Sequence, residues 1–151
     1  MASSRWFVHH LKARYAETDQ MGVVYHANYL TWFEIGRTEM IRELGLPYRK
    51  IEEQGLLLPV IDLGMQFLKP ARYDDQIRVL TRIREYTNIR MTFEVRIERI
   101  EDELQQEGEL LITGHTKHVW LNRNWRPARI DREAPELYEL IKRACEQEEL
   151  E

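Results

Sequence analysis

From position 89 to 98, apolar and polar side chains take strict turns. Ile89, Met91, Phe93, Val95 and Ile97 alternate with Arg90, Thr92, Glu94, Arg96 and Glu98. Successive side chains leave a pleated backbone on opposite sides, so a period of two predicts a strand with one dry and one wet face. Residues 76–87 before it and 109–122 after it read as further strands, with a polar hairpin at 101–108. Residues 56–68 are mostly apolar and predict a buried strand. Residues 69–75 (KPARYDD) form a turn or bulge, because Pro70 has no N–H to give to an inner ladder. Residues 5–15 mix aromatic, β-branched and long side chains and read as a first strand.

The period changes after Asn28. Tyr29, Phe33, Gly36, Met40 and Leu44 recur at steps of three and four, and Trp32 and Ile35 widen the stripe. That is one face of an α-helix over 28–44, with Asn28 as its N-cap and Gly45 followed by Pro47 as its stop. A short helix is expected over 47–54. Residues 135–148 predict a C-terminal helix, with Leu137, Leu140, Ile141 and Ala144 on one side and a frayed acidic end.

The order is therefore strand, long helix, then four strands. Strands joined by short turns pair antiparallel. The helix stripe and the dry face over 89–98 both need cover, so the early helix is expected against the sheet. Residues 1–151 read as one α+β domain with no linker or repeat.

Composition acts mainly by exclusion. Charged residues are 32% of the chain against a usual value of about 25%, which suits a well-solvated surface. The net charge is −4, so no whole-molecule basic field favours nucleic acid. The one cysteine, Cys145, has no internal disulfide partner, which fits a reducing compartment. The opening MASSRWFVHHLKARY is not a secretory signal, and no apolar run approaches the roughly 20 residues that span a bilayer. A cytoplasmic protein is expected.

Candidate chemistry gathers between positions 15 and 42. Asp19 and His26 stand just ahead of the predicted helix, whose N-terminus offers unpaired N–H groups and the positive end of the macrodipole. A carboxylate beside such N–H groups supplies the two parts acyl transfer most needs. Asp19 in Asp-x-x-Gly equally suits a local turn bond to the backbone. Glu17 reads as an exposed charge, and Glu34, Arg37 and Glu39 as a solvated helix face. Tyr25 and Tyr29 either line a pocket or pack in the core. Lys69 and Arg72 make a basic turn. His9 and His10, and likewise His115 and His118, have opposite parity in strands, so neither pair chelates one ion and no metal is expected. There is no Gly-rich phosphate loop, no Gly-x-Ser-x-Gly elbow and no Cys–His nucleophile pair.

The run D-x-x-G-V-V-Y-H-x-x-Y, formed by Asp19, Gly22, Val23, Val24, Tyr25, His26 and Tyr29, resembles the 4-hydroxybenzoyl-CoA thioesterase family. It looks closest to the branch with the Tol-Pal-associated acyl-CoA thioesterases. FLKPARYDDQIRV, residues 67–79, is similar to that family's second recurring segment. The resemblance implies a hotdog fold, a long central helix wrapped by a five-stranded antiparallel sheet. It implies hydrolysis of an acyl-CoA thioester to a free acid and coenzyme A, with no cofactor. Asp19 aligns with the family's catalytic carboxylate, as nucleophile or general base. The N–H at His26 would polarise the carbonyl, with or without help from the imidazole. Tyr25 and Tyr29 would line the acyl pocket. Lys69, Arg72 and Arg90 would meet coenzyme A phosphates, and Asn88 would bond the pantetheine or shape its turn. A homodimer is the implied minimum and a homotetramer is common among relatives. Two rivals stand beside this reading: a hotdog hydratase or dehydratase on acyl-CoA or acyl carrier protein, and a hotdog domain that binds acyl-CoA without turnover.

Overall fold

The computed structural model describes residues 3–45 and 48–150. Five strands, β1 (Phe7–Lys12), β2 (Val60–Phe67), β3 (Gln76–Tyr86), β4 (Arg90–Ile100) and β5 (Glu109–Val119), form one sheet in the order β1-β3-β4-β5-β2. Every pairing is antiparallel. The helices are α1 (Ala27–Glu43), α2 (Tyr48–Glu53), α3 (Ile130–Glu133) and α4 (Pro135–Leu150).

The alternation in β4 sets the inner face. Met91, Phe93, Val95 and Ile97 are buried there beside Ile77, Val79 and Ile83 of β3. Helix α1 covers them with Tyr29, Trp32, Phe33, Gly36 and Met40, the stripe that its period of three and four predicts. Trp32 and Phe33 each remove roughly 150–250 Å² from water, worth several kcal/mol at about 25 cal/mol per Å². Gly36 fixes how close the helix comes. A Cβ there would stand 2.6 Å from Thr81 Oγ1 and 2.8 Å from Val79 Cγ1. A helix inside a curved antiparallel sheet is the hotdog arrangement.

Several expectations need correction. Residues 56–68 do not make a buried strand. β2 is the edge strand after β5, and Ile61, Leu63 and Phe67 are exposed. An edge strand has a neighbour on one side only, so less of the sheet covers its side chains, and a sequence pattern does not reveal which strand lies at the edge. The wet face of β4 is only partly wet. Glu98 is buried because the hairpin after β4 folds over it, bringing the carbonyls of Gln105 and Gln106 to its partner Arg78. Asn28 is not the N-cap. The helix begins at Ala27 with His26 at the cap position. β1 stops at Lys12, and Tyr15–Glu17 forms a single 3-10 turn. Gly45 ends α1 with φ +99°, whereas the expected stop at Pro47 lies outside the described residues.

Arg37 is also not on a solvated face. It turns inward, and its Nη1 lies 3.4 Å from Nε2 of the fully buried His118. Arginine only donates, so Nε2 accepts, and the His118 Nδ1–H donates to Leu58 O at 3.1 Å. Burial first, and then Arg37, lower the His118 pKa to about 4. Cys145 is buried in α4, and burial pushes its thiol up to about 11, which makes it unreactive. Among the described residues no helix is long and apolar enough to cross a membrane.

Candidate active site

The loop between β1 and α1 is organised by Glu17, which is buried rather than exposed. Its Oε1 accepts the Arg14 N–H at 2.8 Å and its Oε2 accepts the Trp32 indole N–H at 2.9 Å. Its backbone carbonyl accepts both the Tyr25 N–H and Asn28 Nδ2, each at 2.8 Å. A carboxylate with partners on both oxygens offsets its own desolvation. Glu17 thereby ties the loop to the first turn of α1. No local pattern foretold this, because the partner is 15 residues away.

Asp19 stands two residues further on. Its Oδ1 accepts the Met21 N–H at 2.8 Å, and its backbone pairs with Val23 and Gly22. Gly22 has φ +80°, a left-handed conformation natural to glycine. The turn role expected of Asp-x-x-Gly is therefore real. It leaves Oδ2 without a hydrogen bond from the described residues, and Asp19 borders a cavity of about 240 Å³. The same cavity is lined by Val23, His26, Tyr29, Phe67 and Lys69.

Its walls are rich in rings. His26 meets Phe67 edge-on with centroids 6.4 Å apart, and Tyr29 lies 6.0 Å from Phe67. Tyr25 packs on His26 with ring centroids 4.6 Å apart and planes tilted by 48°, but it is half exposed and is not among the residues that line the cavity, unlike the expected pocket role. The Tyr29 hydroxyl accepts the Ala71 N–H at 3.0 Å, and burial raises its pKa, so it stays a neutral phenol. Phe67 escaped sequence reasoning. Only the pairing of β2 with β5 brings the end of an edge strand to the start of α1.

At the helix start, Asn28 and Tyr29 spend their N–H groups on the carbonyls of Tyr25 and His26. The His26 N–H bonds no acceptor among the described residues. The cavity thus lies by the N-terminal, positive end of the α1 dipole and beside the Asp19 carboxylate.

The basic residues divide. Lys69 lines the cavity, yet its Nζ is 3.4 Å from Glu109. Glu109 also binds Arg99 at 2.7 Å, and Arg99 binds Asp75 at 2.9 Å. Asp75 in turn accepts the Arg72 N–H at 2.8 Å, so the turn is held stiffly. The Arg72 side chain is exposed outside the cavity lining. Arg90 is elsewhere, in a second cavity of about 250 Å³ with Ile61, Tyr86 and Lys117. Asn88 sits in the neighbouring turn, where its carbonyl accepts the Ile130 N–H at 2.9 Å. Phe67 is level with Ile112 and Ile97 across the sheet. Ile97 and Arg90 lie seven residues apart in β4, which is about 23 Å. One chain therefore does not gather all the expected substrate contacts.

The model of the family described as "Thioesterase superfamily" matches residues 21–106, a stretch that includes the cavity's helix and basic turn. The chain belongs to the thioesterase superfamily. This thioesterase is 35% identical over 135 residues to YneP of Bacillus subtilis (strain 168), covering 89% of this chain and 94% of that one. It is 32% identical over 108 residues to the acyl-CoA thioester hydrolase YbgC of Escherichia coli O6:H1, covering 72% and 78%. Among solved structures, a DHNA-CoA thioesterase from Staphylococcus aureus superposes with a TM-score of 0.83 at 35% identity, covering 91% of the thioesterase chain and 89% of its own.

Proposed function

We propose that the protein hydrolyses acyl-CoA thioesters to a carboxylic acid and coenzyme A. The observation that carries this reading is Asp19, whose Oδ2 accepts no hydrogen bond from the described residues, at a ring-lined cavity beside the start of α1. The names of YbgC and of the Staphylococcus aureus structure support the substrate class.

Two routes use the same atoms. In one, Asp19 attacks the thioester carbonyl carbon, the C–S bond breaks, coenzyme A leaves as a thiolate, and water cleaves the mixed anhydride. In the other, Asp19 takes a proton from water as that water attacks the carbonyl carbon, and the C–S bond then breaks to release the acid and coenzyme A, whose thiolate takes up the proton. In both, the carbonyl oxygen gains negative charge and the His26 N–H stabilises it. The imidazole is secondary, and Tyr25 and Tyr29 bound the acyl group. The reading goes with a cytoplasmic enzyme whose lone thiol stays reduced.

The working unit in this proposal is a homodimer joined along β2. That edge offers free backbone groups and exposed Ile61, Leu63 and Phe67. Two-fold pairing of a strand with itself is antiparallel, so the Phe67 end of one β2 meets the Val60 end of its partner. The Asp19 cavity of one protomer would then adjoin the Arg90 cavity of the other. That would reunite contacts about 23 Å apart within a chain.

The test is release of free thiol from a panel of aromatic, short-chain and medium-chain acyl-CoAs. Turnover of at least one, abolished by Asp19→Asn, is expected. Tight binding with no thiol release would instead favour a non-catalytic acyl-CoA-binding domain. Hydration of an enoyl-CoA without thiol release would favour a hydratase.

A further inference from the structure

Beyond Val119 the chain continues as a narrow hairpin. The Ala128 N–H bonds the Trp120 carbonyl, and the Asn122 N–H bonds the Arg126 carbonyl, each at 2.9 Å. At the tip, Asn122 Oδ1 accepts the N–H groups of Asn124 at 2.9 Å and Arg126 at 3.2 Å. That clasp fixes Trp125 with φ +60° and 67% of its surface exposed. Bulky residues seldom adopt a left-handed backbone, and an indole seldom stands in water. Strain of this kind points towards a function.

The other tryptophans are occupied. Trp32 and Trp120 are buried, and Trp6 lies under Arg82 at 4.4 Å. No ring or cation of the described residues stacks on Trp125. Arg123 and Arg126 flank it in sequence. Arg90 opens β4 directly after the β3–β4 turn, which meets the hairpin base where the Trp120 N–H bonds Ile89 O at 2.8 Å. None of these three arginines pairs with a carboxylate among the described residues, in a chain of net charge −4. Arg123 reaches the carbonyls of Glu52 and Glu53, at 3.3 and 3.5 Å.

A free aromatic face on a hairpin tip whose neighbours in sequence, Arg123 and Arg126, pair with no carboxylate among the described residues suits a base and its phosphates. We infer that the hairpin tip at residues 122–126 is a purine-nucleotide clamp: the adenine of coenzyme A stacks on Trp125, and its phosphates meet Arg126 and Arg90. The inference rests on the acyl-CoA reading. It also fits the β2-paired dimer. The hairpin is bonded through Leu121 to Leu57, three residues before β2, and in that dimer it would stand beside the partner's Asp19 cavity.

Adenosine 3′,5′-bisphosphate tests the clamp, because it carries the base and phosphates without a thioester. It should quench tryptophan fluorescence saturably in the full-length protein, and Trp125→Phe should remove that signal. Inorganic pyrophosphate, which has no ring, should not quench. Trp125→Gly removes the ring while suiting the left-handed backbone, so folding is not in question. Its KM for acyl-CoA should rise by about tenfold, the scale of one lost base-stacking contact. The rise should vanish with an acyl-pantetheine, which lacks the nucleotide. Unquenched fluorescence together with an unchanged KM for acyl-CoA would overturn the clamp and leave the thioesterase reading standing. Quenching by the bisphosphate in a protein that hydrolyses no acyl-CoA would keep the clamp and remove the thioesterase reading.

Discussion

The Trp32 indole N–H donates to Glu17 Oε2 at 2.9 Å, a buried bond joining the inner face of α1 to the loop that presents Asp19. Through it the helix core and the candidate catalytic turn become one unit. Glu17→Ala should lower the unfolding free energy by about 1–3 kcal/mol, since it strands a buried indole N–H and releases the Arg14 N–H. It should also lower thioester hydrolysis, because the turn loses its anchor. Urea titration and a thiol assay measure both, and normal stability would show that the pair is not structural.

Asp19→Asn keeps an oxygen to accept the Met21 N–H, so the turn should survive. Hydrolysis should fall by at least about a hundredfold, the scale of a lost general base. Unfolding should stay within about 0.5 kcal/mol of the parent, as for a substitution that breaks no packing. Near-full turnover would remove Asp19 from the mechanism.

His26→Ala should cost less than Asp19→Asn, because the backbone N–H at the cap position remains. If it proved the more damaging change in kcat, the imidazole would be the principal catalyst and the helix N–H secondary.

Neutralising Lys69 and Arg72 together should raise KM for acyl-CoA more than it lowers kcat, and the effect should shrink with salt. Lys69 is already paired with Glu109, so part of its charge is spent within the protein. Arg72→Gln should therefore carry the larger share. Equal losses with acyl-pantetheine would assign the pair to the fold or the dimer.

His118 predicts a pH dependence of stability. Its folded pKa is about 4, below an ordinary value of 6.5. The unfolded chain then binds the extra proton first as pH falls, so stability is full above about 6.5 and is lost progressively towards pH 4. The loss amounts to about 3 kcal/mol at about 1.4 per pKa unit. Urea midpoints from pH 7.5 to 4.5 should show this slope, and His118→Asn should flatten it. An unchanged slope in the variant would place the titrating group elsewhere.

The sequence by itself determined the elements and their order. Strict alternation in β4 and the stripe on α1 are local periodicities, and each demands a dry partner. The motif from Asp19 to Tyr29 likewise placed a carboxylate, a glycine turn and a helix start within eleven consecutive residues. Such features depend on neighbours a few positions apart, so a linear reading reaches them. Other features depend on which distant strand or helix lies alongside, and only the tertiary structure decided those. The apolar run at 56–68 looked buried until β2 proved to be the edge. Glu17 and Arg37 looked solvated until Trp32 and His118 were found against them. The same holds for the expected substrate contacts. Lys69 came to the Asp19 cavity, and Arg90 went to the far end of the sheet. A side chain's solvation and its reach are set by packing between residues far apart in the chain, which no periodicity encodes.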